Sequence, residues 1–131
     1  SPHLIHFNER IAINHQPIAD LALLRCFESI EAARHETTLT YFEYATLAAL
    51  KYFHDQKLDA IILEVGMGGR LDAVNAIDPD LSIITHIGLD HTQWLGETLD
   101  AIADEKAGIM RQDRPVLLGD AQMAPYLKAK A

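Results

Sequence analysis

Apolar residues recur along this chain in two rhythms, one helical and one continuous. Leu23, Cys26, Phe27, Ile30 and Ala33 share one side of a 3.6-residue repeat, which predicts a helix over residues 18–35, with Pro17 suited to its first turn. Thr40-Tyr41-Phe42-Glu43 has the spacing of a capping box, in which a hydroxyl and a carboxylate satisfy free backbone donors at a helix start. A second helix is predicted over 41–56, with Phe42, Ala45, Ala49 and Phe53 on one face. The run Ile61-Ile62-Leu63 is apolar without interruption until Glu64, and predicts a strand buried on both faces of a parallel sheet. Leu81 to Ile87 predicts a second such strand and Pro115 to Leu118 a short third. Between them a third helix is expected from Thr98, its N-cap, to about Arg111, and the tail from Ala121 has helical character. Residues 1–14, with Leu4, Ile11 and Ile13, read as loop and edge strand. Strands alternating with helices predict an α/β fold built on a parallel, doubly wound sheet.

That architecture directs attention to the carboxyl ends of the strands, where such proteins hold their ligands. The first predicted strand ends in Glu64 and the second delivers Asp90 and His91 just past its end. A carboxylate and an imidazole at one sheet edge would suit a divalent ion; Mg²⁺ prefers oxygen ligands, whereas Mn²⁺ tolerates a histidine. The plainer alternatives are an acid bordering a loop and a histidine that caps one. The third helix carries an anomaly: its apolar stripe is Leu99, Ile102, Ala103, Ile109 and Met110, and the position completing it is Lys106. An ammonium on a buried face needs a partner, a shifted pKa or covalent modification, unless it snorkels out at the border of the stripe. Asp104 and Glu105 are expected to be solvated on the rest of that helix.

Composition narrows the function classes. The 131 residues form one domain by size, 49% hydrophobic and 23% charged, with a net charge of −8 that disfavours a nucleic-acid partner. The single cysteine, Cys26, cannot form an intramolecular disulfide, which fits a cytoplasmic setting, and no apolar run reaches the length of a membrane span. Gly66-Met67-Gly68-Gly69-Arg70-Leu71 lacks the third glycine of a dinucleotide fingerprint, and neither G-x-x-x-x-G-K-S/T nor G-x-S-x-G occurs. The other histidines (His3, His6, His15, His35, His54 and His86) show no metal-ligand spacing.

Several stretches together resemble the folylpolyglutamate synthase/dihydrofolate synthase family of the Mur ligase superfamily. They are Ser1-Pro2-His3-Leu4 with Asn8-Glu9-Arg10-Ile11, Leu39-Thr40-Tyr41-Phe42-Glu43, Leu63 to Ala73, Gly88-Leu89-Asp90-His91-Thr92 and Glu105-Lys106-Ala107-Gly108-Ile109. They occur in family order from Ser1 to Ile109; Met67 stands where leucine is common and Val74 where threonine is. The resemblance implies an ATP-dependent amide ligase that phosphorylates a pterin-linked carboxylate and joins it to L-glutamate, with dihydropteroate or reduced folates as acceptors and Mg²⁺, or Mn²⁺, as the metal. Ser1, Glu64 and His91 match metal ligands, Lys106 matches a lysine that becomes carbamylated, and His91 and Lys106 are the expected catalytic pair. Thr40, Tyr41, Phe42 and Glu43, with Leu71, Asp72 and Ala73, match pterin-contacting stretches. On this reading residues 1–131 are the central part of a Mur-type P-loop ATPase domain. The phosphate loop lies before Ser1, and a glutamate-binding C-terminal domain follows Ala131. The intact protein is expected to be a monomer in the cytoplasm, with no membrane or nucleic-acid partner. The chain alone is expected to be inactive and prone to self-association. Two other readings stay open: a non-catalytic scaffold of the same fold, and a Mur ligase acting on cell-wall precursors.

Overall fold

The computed structural model describes residues 2–130, in two compact units, Ser1–Glu64 and Val65–Ala131. The metal-ligand expectation at Ser1 lies outside the described residues.

The first unit opens with a 3₁₀ turn at Phe7–Arg10 and a short antiparallel hairpin, β1 (Ala12–Ile13) with β2 (Gln16–Pro17), in which Ala12 faces Pro17. Asn14 and His15 make the turn at positive φ. Pro17 therefore sits in an edge strand, not in a helix, and α1 spans Asp20–Arg34. Asn8 ties the helix start to the opening turn, its amide donating to the Ile18 carbonyl at 2.6 Å and to the Asp20 carboxylate at 2.9 Å. α2 occupies Tyr41–Gln56, the span predicted. α1 and α2 close a core of Ile11, Ile18, Leu23, Cys26, Ile30, Ala48 and Phe53. The Tyr44 hydroxyl bridges the pair by donating to the Phe27 carbonyl at 3.0 Å.

The run at Ile61 to Val65 departs from expectation. It forms no ladder among the described residues, and Ile62 is 93% exposed. An extended segment becomes a central strand only when a neighbour supplies donors and acceptors, and no described strand pairs with it.

The second unit holds the parallel sheet. β3 (Ser82–Ile84) pairs in parallel with β4 (Val116–Leu118), Ser82 opposite Val116. β3 is shorter than the apolar run that predicted it, and it buries Ser82 and Ile84 while exposing Ile83, so one face is covered rather than two. A single turn, α3 (Thr92–Leu95), had no periodic signal in the sequence. α4 (Leu99–Ala107) starts at Thr98, whose hydroxyl accepts the Ala101 amide at 3.2 Å, and stops four residues before Arg111. α5 (Ala124–Lys128) ends the unit. Ile84, Ile87, Ile102, Ala103 and Leu127 form its core, so α4 enters the core through adjacent residues Ile102 and Ala103. No described helix is long and apolar enough to cross a membrane.

Candidate active site

Within the second unit a cavity of about 200 Å³ opens beyond the end of β3. Val65, Gly66, Met67, Gly68, Gly88, Asp90, His91, Leu95, Ile102 and Lys106 line it. The fold thus brings His91 and Lys106 together against the glycine turn. Lys106 is half-buried at the border of the apolar stripe. His91 adopts the left-handed conformation, with φ 50° and ψ 35°, uncommon for a side-chain-bearing residue. Its amide donates to the Asp90 carboxylate at 2.7 Å, and its Nε2 lies 3.7 Å from the other Asp90 oxygen. The donor set facing the cavity, an imidazole beside a carboxylate, is chemically suited to a hard or borderline divalent ion with water or phosphate oxygens in the remaining positions. Among the described residues no three His, Cys, Asp or Glu side chains cluster as a complete cage. Glu64 is exposed at the end of the first unit, and His91 belongs to the second.

The glycine turn is shaped by Asp72. One carboxylate oxygen accepts the Gly66 and Met67 amides, each at 3.0 Å, and the other accepts the Val74 amide at 3.0 Å, capping a 3₁₀ turn at Ala73–Ala76. At Gly69 and Gly108 loop and helix lie too close to admit a side chain. A Cβ on Gly69 would stand 2.8 Å from the Glu105 carbonyl oxygen and 3.2 Å from the Lys106 Cα; one on Gly108 would stand 2.3 Å from the Arg70 Cβ. The glycines here serve close approach of loop to helix.

That approach is stitched by polar contacts. The Arg70 amide donates to the Glu105 carbonyl at 2.8 Å, and its guanidinium reaches one Glu105 carboxylate oxygen through Nη2 at 2.8 Å and Nε at 3.2 Å. The Asn75 amide group donates to the carbonyls of Arg70 and Gly108, and Arg111 donates to Asn75 and pairs with Asp78. Glu105, expected to be solvated, is therefore a bonded and largely covered group. The reason is the glycine pair, which lets the loop lie directly on the helix. Asp104 is half-exposed and pairs with Lys130.

The pterin-side stretches are placed in different units. Leu71 is 80% exposed, whereas Asp72 and Ala73 are half-buried. In the first unit, the Thr40 amide donates to the Glu43 carboxylate at 2.7 Å and the Thr40 hydroxyl accepts the Glu43 amide at 3.3 Å, so both side chains serve the helix cap. That cap holds the Glu43 carboxyl below its ordinary pKa. Tyr41 is exposed and Phe42 half-buried.

Sequence reading missed Asp120. It stands just past the end of β4, is buried, and accepts the amides of Ile87, Gln122 and Met123 at 3.0–3.1 Å, with His86 Nδ1 at 2.9 Å. The Ile87 amide above all, then those of Met123 and Gln122, hold its carboxyl below the usual range. Asp120 thereby fixes the base of the Gly88 to His91 loop. The rule that singled out the ends of the first two strands, applied to the third, would have found it.

The chain is α/β, and its second unit groups Asp90, His91 and Lys106 beyond a parallel strand. Residues 16–131 match the Mur ligase middle domain, and the chain belongs to that family. It is 48% identical over 123 residues to the dihydrofolate synthase/folylpolyglutamate synthase of Escherichia coli strain K12, covering 94% of this chain and 29% of that protein. The structure of E. coli FolC in complex with DHPP and ADP matches with a TM-score of 0.97 at 46% identity, over 100% of this chain and 32% of that one. A bifunctional folylpolyglutamate synthase/dihydrofolate synthase from Yersinia pestis, complexed with AMPPNP and Mn ion, matches with a TM-score of 0.91 at 45% identity, over 99% of this chain and 32% of that one. The chain thus spans about a third of the length of the relatives it matches.

Proposed function

We propose that the protein carrying this domain is an ATP-dependent acid–amino-acid ligase that adds L-glutamate to dihydropteroate, to a reduced folate, or to both, through an acyl phosphate. The observation that carries the reading is the cavity beyond β3, which gathers Asp90, His91 and Lys106 against the Gly66 to Gly68 turn. The close match to a DHPP- and ADP-bound relative supports the choice of substrates. Residues 1–131 are read as part of the central ATP-binding domain, with the phosphate loop and the glutamate-binding domain supplied by other segments of a cytoplasmic, monomeric protein.

Ser1, Glu64 and His91 are assigned to a Mg²⁺ or Mn²⁺ ion, with Asp90 orienting His91. When bound, that ion offsets phosphate charge during phosphoryl transfer. Lys106 is assigned a carbamate: its neutral amine bonds the carbon of CO₂ and releases a proton, so a cation on an apolar border becomes an anion facing the cavity. Thr40, Tyr41, Phe42 and Glu43, with Leu71, Asp72 and Ala73, are assigned to the pterin. Of these, Leu71 and Tyr41 offer exposed apolar surface, while Thr40, Glu43 and Asp72 hold their loops in shape. The test is an assay of the full-length protein for ATP-dependent ligation of glutamate to dihydropteroate and to reduced folates. Activity on either is expected, and His91→Ala should lower activity at least ~10- to 100-fold while raising the metal concentration required. Absence of ligation with every acceptor, or a His91→Ala variant as active as wild type, would defeat the proposal.

A further inference from the structure

The stretch after the glycine turn and the C-terminal half of α4 are held together more firmly than their separate assignments require. Arg70 precedes Leu71, Asp72 and Ala73, and Glu105 precedes Lys106. Between these two residues run a backbone hydrogen bond at 2.8 Å and a forked guanidinium–carboxylate contact at 2.8 and 3.2 Å. Gly69 and Gly108 bring the two backbones into contact on either side, and Asn75 spans the Arg70 and Gly108 carbonyls at 3.1 and 3.0 Å. A ligand that shifts the backbone at Leu71 therefore pulls on the residue next to Lys106, and a ligand that shifts Lys106 pulls on the loop. Interiors and interfaces packed this closely transmit displacement instead of absorbing it.

We propose that Arg70 and Glu105 are positioning residues that couple occupancy of the Leu71–Asp72–Ala73 loop to the placement of Lys106 in the cavity it shares with His91, so that the pterin substrate and the metal-bound nucleotide assigned to that cavity sense each other's binding. The inference rests on the substrate and lysine assignments made above. A surface ion pair contributes little to stability by itself, so the pair's effect should appear as coupling and not as a large change in folding. Coupling between two ligands is reciprocal, and one ratio measures it: the dihydropteroate dissociation constant without Mg²⁺ and a non-hydrolysable ATP analogue, over the constant with them.

The experiment is calorimetric titration of the full-length protein as wild type, Arg70→Glu, Glu105→Arg, the combined charge swap, and Glu105→Gln. In wild type the ratio should differ from one by about fivefold or more. It should fall toward one in both single reversals and return in the combined swap. Should a reversal fail to fold, Glu105→Gln keeps the side-chain shape and should reduce the ratio alone. A purely structural role would lower melting temperature and both affinities while leaving the ratio unchanged. Dihydropteroate binding with the same ratio in every variant overturns the coupling and leaves the substrate assignment standing. A wild-type protein that binds no dihydropteroate overturns both.

Discussion

Glu9 shows how much one side chain can organise. Its two carboxylate oxygens accept the amides of Leu4 at 2.7 Å, Ile5 at 3.1 Å and His6 at 2.8 Å, gathering the stretch that follows Ser1-Pro2-His3. Those amides, His6 and Leu4 foremost, lower its pKa from 4.5 to about 2. A carboxylate depressed in the folded state contributes stability that is complete above its unfolded value. That contribution is lost as the pH falls from 4.5 toward 2. Glu9→Gln should therefore be less stable than wild type near neutrality and converge with it at the acid end of that window, as urea midpoints measured across pH would report. Identical pH profiles for the two would refute the assignment. Nothing in the spacing of Glu9 announced this role, because it depends on a local turn that brings three successive amides to one point. His91 is the opposite case. Its position beyond the strand could be read from its place after an apolar run, while its left-handed backbone could not.

At the scale of elements, α2 was legible to the residue because its start is written in side chains: Thr40 and Glu43 close their box whatever lies around them. Thr40→Ala should cost about 1 kcal/mol, read by chemical denaturation, and a change indistinguishable from zero would show that the cap is redundant. α4 was legible at its Thr98 start but not at its end, where the loop approaching through Gly69 and Gly108 replaces the last helical turn with cross-links from Asn75 and Arg111. Strands were the less legible elements, since a strand is a relation between segments. Ile61 to Val65 has the composition of a central strand but joins no ladder among the described residues, whereas Ser82 to Ile84 became a strand because Val116 to Leu118 lies beside it.

Across the molecule, the units bury few large side chains and expose many. Leu4, Ile62, Leu71 and Trp94 are 93%, 93%, 80% and 70% exposed. Apolar area of this kind is a ready surface for association. The 131-residue polypeptide expressed alone should form oligomers or aggregates above micromolar concentration; a single monomeric species by light scattering would contradict that. The family was readable from short motifs in order, and the α/β class from strands alternating with helices, because both are written locally along the chain. Which side chains meet was less readable: Arg70 with Glu105 and His86 with Asp120 are joined only by the fold.

The parallel pairing of β3 with β4 bears on how the protein acquires its structure. Ser82 can meet Val116 only after the chain between them, including α3 and α4, has doubled back, whereas the β1–β2 hairpin and the α1–α2 pair close over short intervals. Distant pairings bear the entropy of loop closure before any contact rewards it, and they slow folding accordingly. The second unit should therefore form later than the α1–α2 pair, so that His91 and Lys106 meet only once that long loop has closed, while Thr40 and Glu43 at the start of α2 are already in place.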